Sequence, residues 1–504
     1  MRSTALFTTL SGLASTALST SLLLSGGTII AFDESSKSLN VIRDGSVLVT
    51  DDRIAALWDA EETKKKRSLP KDTEIVDCTN KIISPGFVDT HRHGWQTGLK
   101  TLASNTTLAE YKHKWASGAA GPSYTREDVY VGQLAGLLES LNAGVTTTLD
   151  HAHNIWSTDR SLAGLEASIE SGGRVFWAAA LDGKPDYPLK QQIKDWKSFK
   201  GKIPKDSPVE LGVAWDYWDL GTPEDTGSVV KLIKDEKPAV LTIHWLGGPW
   251  ILESSPSLVH SHGLLDTPMP VVFSHGVGVN SKETSLLRQY NQFLSITPES
   301  EMHYGHSHIH SHLAQDQAAL GIDTHFAYST DLLTQARLWL QRTRSRLFDE
   351  VIERWEIPRN NPMSANQAFL LATRQGGLAL HRPDLGVISV GAKADLAIFN
   401  GRSPALLGWV DPVAAIILHA SVGDITDVLV DGKFQKRDGK LVYPEYEKLA
   451  ERFLESCERL REKVLARPEP TLEGRFFHIG EEFGDSVRTK VLKGEGGGYG
   501  GLFL

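Results

Sequence analysis

The run "ISPGFVDTHRH" (83–93) is apolar until it ends on two histidines, His91 and His93, with one residue between them. Alternate residues of a strand point the same way, so both imidazoles can reach one point while Arg92 faces elsewhere. Imidazole is a favoured ligand of zinc, iron and nickel. Other short apolar runs also end on polar groups. "GVTTTLDHAHN" (144–154) carries Asp150, His151 and His153, "AVLTIHW" (239–245) carries His244, and "PVVFSHGVG" (270–278) carries His275. "FLSITPESE" (293–301) ends on Glu299 and Glu301, and "AALGIDTHF" (318–326) holds Asp323. Two histidines from the first run, His244 and Asp323 would make an open cation site with room for water. A metal there would lower the pKa of that water towards neutrality and generate a nucleophile. Cys78 and Cys457 lie outside these run ends, so thiolate ligands are not expected.

Elements that could hold such groups together follow from the spacing. "RVFWAAALDG" (174–183) and "VELGVAWDYWD" (209–219) complete a set of eight apolar runs between about 85 and 385. Most gaps are long enough for a crossover helix. "REDVYVGQLAGLLESLNAG" (126–144) is the clearest of these, with an acidic first turn and a glycine stop. Continuous apolar strands alternating with helices imply a parallel sheet buried on both faces. Eight units predict a (β/α)8 TIM barrel, whose reactive groups gather at the C-terminal mouth of the strands. An open doubly wound sheet is the alternative, but no glycine-rich dinucleotide loop follows the first strand.

Both ends of the chain read as β structure, in "LLLSGGTIIAF" with "GSVLVTDDRIAAL", and in "GVISVGAKADLAIFN" with "ITDVLVDGKFQKRDGKLV". We expect one split β-sandwich from residues 22–84 and 386–443, with the barrel of 85–385 inserted. Two separate β units are the alternative. Residues 1–21 read as an extension, and 444–504 as a charged amphipathic helix and a glycine-rich tail without chemistry.

A chain of 504 residues is too long for one core. The net charge of −9 is spread out, with "KKKR" (64–67) as the one tight basic run, read as a solvated loop. No long basic cluster exists along the chain to neutralise phosphates, so a small-molecule substrate is expected rather than nucleic acid. No stretch resembles a membrane span, so no membrane partner is expected. Two cysteines suit a reducing, cytoplasmic compartment, unless residues 1–20 act as a secretion signal. A homo-oligomer is compatible with the architecture, though no specific patch marks it.

At this point "SPGFVDTHRHGWQT", "GVTTTLDHAHN", "LTIHW", "VVFSHGVGVN" and "LGIDTHFAYSTDLLTQAR" resemble the amidohydrolase superfamily. The likeness spans about 22–443 and is closest to the cytosine deaminase and s-triazine hydrolase branch. The resemblance implies a metal-dependent hydrolase acting on carbon–nitrogen bonds. It implies His91, His93, His244 and Asp323 as ligands of one divalent ion, zinc or else iron. It implies Asp323 as the acceptor of the water's proton, and His275 as the group that orients that water or polarises the substrate. Two-metal members bring a bridging lysine or a further acid from the middle strands, and "GVAWDYWD" has no lysine.

One departure concerns chemistry. Deaminases of this branch commonly place a glutamate three residues after the strand-five histidine, and Gly247 stands there. Proton donation by such an acid is typically worth about 10²–10⁴-fold. Glu299, Glu301, His151 or His275 could replace it, or the reaction is amide cleavage or loss of chloride. Gln96, Trp95, His151 and Glu301 are the expected substrate contacts. Arg92 is a further candidate for binding a heterocycle or an acid, and Trp215, Trp218, Trp245 and Trp250 for walling a flat pocket. A decarboxylase using Arg92, and a catalytically silent binding protein, are the competing readings.

Overall fold

The computed structural model of the protein describes residues 21–65, 68–306 and 310–486. Residues 1–20 of the expected N-terminal extension, the glycine-rich tail and half of the basic run lie outside these residues.

Eight parallel strands form one sheet in chain order. They are Phe87–Arg92, Val145–Ala152, Arg174–Ala180, Glu210–Ala214, Leu241–Trp245, Val271–His275, Phe293–Ile296 and Ala318–Leu320. Each comes from one of the eight apolar runs. A bridge between Arg92 and Asp323 joins the end of strand one to the residues after strand eight, so the sheet closes on itself. A doubly wound sheet would reverse its strand order, and this one does not. The strands are buried almost throughout, which is why their sequences run apolar rather than alternating.

Helix Arg126–Asn142 connects strands one and two. Thr125 accepts from the Asp128 amide and Asp128 accepts from the Thr125 amide, a reciprocal cap at its start. Gly144 follows its end at φ +80°, a conformation that would strain any residue with a Cβ.

The two ends of the chain meet in one nine-stranded sheet, so two separate β units are ruled out. Leu396–Asn400 pairs antiparallel with Lys81–Pro85, and Leu22–Asp33 continues from the other side of that strand. Pro85 is two residues from the start of barrel strand one, so this sheet anchors the strand that carries His91 and His93. Among the described residues no helix is long and apolar enough to cross a membrane.

Arg174 ties barrel to sheet. It opens barrel strand three and donates from Nε and Nη2 to the two Asp395 oxygens at 2.9 and 3.1 Å. Both side chains are buried, and Asp431 adds a second carboxylate. Removing one partner of a buried pair leaves an uncompensated charge, at a cost of about 3–5 kcal/mol. Arg174→Met should therefore lower unfolding free energy by about that much in urea titration. A loss below about 1 kcal/mol would mean that apolar packing alone holds the two parts together.

Candidate metal centre and active site

The barrel brings His91, His93, His244 and Asp323 into one cluster. One ligand atom from each lies within 4.8 Å of all the others. Asp323 Oδ1 is 2.9 Å from His93 Nε2 and 3.4 Å from His91 Nε2. His244 Nε2 is 3.3 Å from His93 Nε2. His275 turns its Nε2 to the same space, 4.0 Å from Asp323 Oδ2.

The outer nitrogen of each ring is engaged elsewhere. His93 Nδ1 donates to the His151 carbonyl at 2.8 Å, and His244 Nδ1 to the Asp216 carboxylate at 2.8 Å. Those acceptors require a proton on Nδ1, which in a neutral imidazole leaves the lone pair on Nε2. His91 Nδ1 lies 2.7 Å from the Ser274 hydroxyl, and its Nε2 has no hydrogen-bond partner. His275 Nδ1 is 2.9 Å from the Thr297 hydroxyl.

Two nitrogen lone pairs and a carboxylate oxygen thus face one another with no proton to share. Such an arrangement repels itself unless a cation lies among the atoms, and three imidazoles with one carboxylate suit a divalent ion. Burial favours the neutral ring at His91, His244 and His275: His91 is pushed down to about 4, and His244 and His275 well below the ordinary imidazole range. Burial opposes ionisation of Asp323, but the imidazoles of His91, His93 and His275 around it hold its carboxyl well below the usual range. Backbone strain accompanies the site, since His275 and Asp323 sit at φ +74° and +68°.

Asp216 is a site residue that the spacing did not single out. It lies two residues past strand four and accepts from both the backbone amide and the ring of His244. His151 Nε2 is 3.1 Å from the same carboxylate. Burial raises its pKa, yet the two neighbouring rings pull it well below the usual carboxylate range.

A cavity of about 620 Å³ opens above the cluster, with His93, His244, His275 and Asp323 on its floor. His153 and His306 also line it. His153 stacks on His93 with ring centres 3.9 Å apart and accepts from Trp95 Nε1. His306 lies two residues past the end of helix Pro298–Tyr304, in the histidine-rich stretch "HYGHSHIHSH" (303–312).

The expected substrate contacts stand behind this wall. Gln96 donates to the Tyr111 hydroxyl, Trp95 is buried in an aromatic cluster, and His151 turns to Asp216. Glu301 is bonded to Thr297, and Glu299 to Gln335. None of these residues lines the cavity. Arg92 is buried on the outer side, bonded to Asp89, the Gly136 carbonyl and Thr330. Of the five tryptophans only Trp250 faces the cavity; the other aromatic walls are Tyr111, Tyr217, Tyr304, Phe476 and Phe477. The C-terminal segment, expected to carry no chemistry, therefore supplies part of the wall.

The family model for amidohydrolases matches residues 82–434. A 5-methylthioadenosine/S-adenosylhomocysteine deaminase of Pyrococcus furiosus is 26% identical over 456 residues, 87% of this chain and 100% of that protein. A 5'-deoxyadenosine deaminase of Methanothermobacter thermautotrophicus is 27% identical over 420 residues, 79% of this chain and 91% of that protein. Among solved structures, the zinc complex of atrazine chlorohydrolase from Arthrobacter aurescens TC1 superposes with a TM-score of 0.74 at 18% identity, covering 86% of this chain and 100% of that one. A zinc-bound adenosine deaminase from Xanthomonas campestris gives 0.73 at 16% identity, covering 88% and 98%. These two likenesses concern the fold. The family match runs from the strand before the barrel, through all eight barrel strands, to the terminal sheet beyond, and on that extent the chain belongs to the amidohydrolase family.

Proposed function

We propose that the protein hydrolyses an exocyclic carbon–nitrogen bond of a small heteroaromatic compound, with one divalent ion, zinc foremost, held by His91, His93, His244 and Asp323. The observation that carries this reading is the set of inward lone pairs on His93 and His244 beside the Asp323 carboxylate. A bound ion supplies Lewis acidity and lowers the pKa of water towards neutrality. The named relatives are deaminases of adenosine derivatives, which supports an amino-substituted ring as the substrate class. A cavity of about 620 Å³ with aromatic walls suits such a ring.

The chain's own residues divide the work. Asp323 takes the proton of the attacking water, while the Ser300 hydroxyl, bonded to its Oδ2, holds the carboxylate in place. His275, fixed through Nδ1 on Thr297, orients the water from its Nε2. Asp216 fixes the His244 ring and leaves its Nε2 free to bind the ion.

Gly247 supports a second reading. It offers no acid to protonate a leaving nitrogen, and Glu299 and Glu301 do not reach the cavity. Chloride leaves without a proton, so dechlorination of a ring carbon makes less demand on this site. The decarboxylase reading loses its support with Arg92 turned outward.

Elemental analysis of wild type and His244→Ala tests the centre. Wild type should hold about one zinc or iron per chain, and the variant should lose most of it. Protein that takes up no metal on reconstitution would remove the nucleophile and defeat the reading. In metal-loaded protein, a screen of amino and chloro heterocycles should release ammonia under the first reading and chloride under the second. Asp216→Asn keeps the shape but weakens the acceptor for His244 Nδ1. It should weaken metal binding about 10–100-fold in competition with a chelator. Unchanged affinity would mean that Asp216 does not orient the ligand.

A further inference from the structure

Lys112 stands apart from every other charged group around the cavity. It lies on helix Leu108–Lys114, half-buried, with its side chain on the cavity wall. Among the described residues its ammonium has no ion pair and no hydrogen bond, whereas Lys114 on the same helix pairs with Glu469. Burial lowers its pKa, against the pull of Asp216 and Asp323. His153, His306, Asp216 and Asp323 line the same cavity as Lys112.

No carboxylate of the cavity is free to meet it. Asp182 pairs with Lys184, Asp216 with His244 and His151, and Asp323 lies against His91 and His93. A second group is also without a partner. His306 is 2% exposed and lines the same cavity; one of its ring nitrogens lies within 4.8 Å of ligand atoms of His275 and Asp323, and among the described residues neither nitrogen makes a hydrogen bond. An unpaired cation in a partly closed space and a buried ring with idle nitrogens each cost free energy unless a ligand completes them. The remaining wall is mostly apolar, with aromatic rings from Tyr111, Tyr304, Trp250 and Phe476 among aliphatic side chains such as Leu246 and Leu252.

We propose that Lys112 and His306 form a subsite for an anionic substituent of the substrate, a carboxylate or a phosphate, on a ring held between the aromatic walls. The proposal rests on the hydrolase reading in one respect, that this cavity is where the substrate binds. It narrows the substrate to a heteroaromatic acid that also carries the hydrolysable group.

Calorimetric titration with three probes tests it: benzoate, phenyl phosphate and uncharged benzamide, each on metal-loaded and on chelator-stripped protein. At least one anion should bind about 10–100-fold tighter than benzamide in both preparations, the range for hydrogen bonds to a charged group. The tighter of the two identifies carboxylate or phosphate as the group. Lys112→Met and Lys112→Gln should abolish the preference, Lys112→Arg should retain most of it, and metal content should stay at the wild-type level in all three. Equal binding of all three probes would overturn the subsite, as would a preference that survives Lys112→Met. A preference found only in metal-loaded protein would belong to the ion and overturn it too. Failure of wild type to hold metal defeats the hydrolase reading while the stripped protein still reports on the anion. Normal metal content without anion preference defeats the subsite alone.

Discussion

The seam between barrel strand one and the residues after strand eight sets the position of everything at the site. The amides of Ile322 and Asp323 both donate to the His91 carbonyl, at 2.9 and 2.8 Å. Asp89 reinforces the seam from below by accepting from the amides of His91 and Ile322. Burial pushes its carboxyl up to about 7, partly offset by Arg92 beside it. Gly321 makes the approach feasible, since a Cβ there would lie 2.9 Å from the His91 nitrogen. Closing the barrel and bringing Asp323 against His91 and His93 are therefore one structural event. A sheet left open at this seam would keep its strands and lose its cluster.

That coupling explains what was legible in the chain. Period-two geometry in strand one put His91 and His93 on one side and Arg92 on the other, and the polar ends of the apolar runs put His244, His275 and Asp323 at the same mouth. The barrel and the joined terminal sheet follow from the same regularities of apolar runs and their spacing. Asp216 was not legible, because it lies beyond its strand and acts through contacts to strand five that no spacing encodes. Tryptophans misled for a related reason. An indole just past a strand end can face the cavity or the layer of helices, and hydrophobicity does not distinguish the two. Trp95, Trp215, Trp218 and Trp245 are buried in the core instead.

The wall of the cavity was hidden by distance along the chain. Helix Tyr446–Leu465 packs on the turn Gly94–Leu99 and on helix Arg126–Asn142. Leu460 and Val464 join the aromatic cluster of Trp95 and Trp115, and Ser456 donates to Asp128. That docking returns the chain across the mouth, where Phe476 meets Trp250 edge to face and Phe477 lies beside His113. The amphipathic pattern of this helix reveals a buried face but not its partner. The partner is the turn that immediately follows the two histidines, so the last part of the chain and the first ligands share one packing surface.

Charge and shape are divided accordingly. The floor holds imidazoles and carboxylates tied by hydrogen bonds, arranged before any ligand arrives. Protonating the rings would be no remedy for their mutual repulsion, because burial disfavours imidazolium at His91, His244 and His275. Moving them apart is restricted by the outer hydrogen bonds of each ring and by the seam. The left-handed backbone at His275 and Asp323 is strain of the kind that persists only when the surroundings over-determine it. A cluster that can neither protonate nor spread is stabilised best by a cation, and the same rigid frame that imposes this demand keeps the ligands in place when it is met.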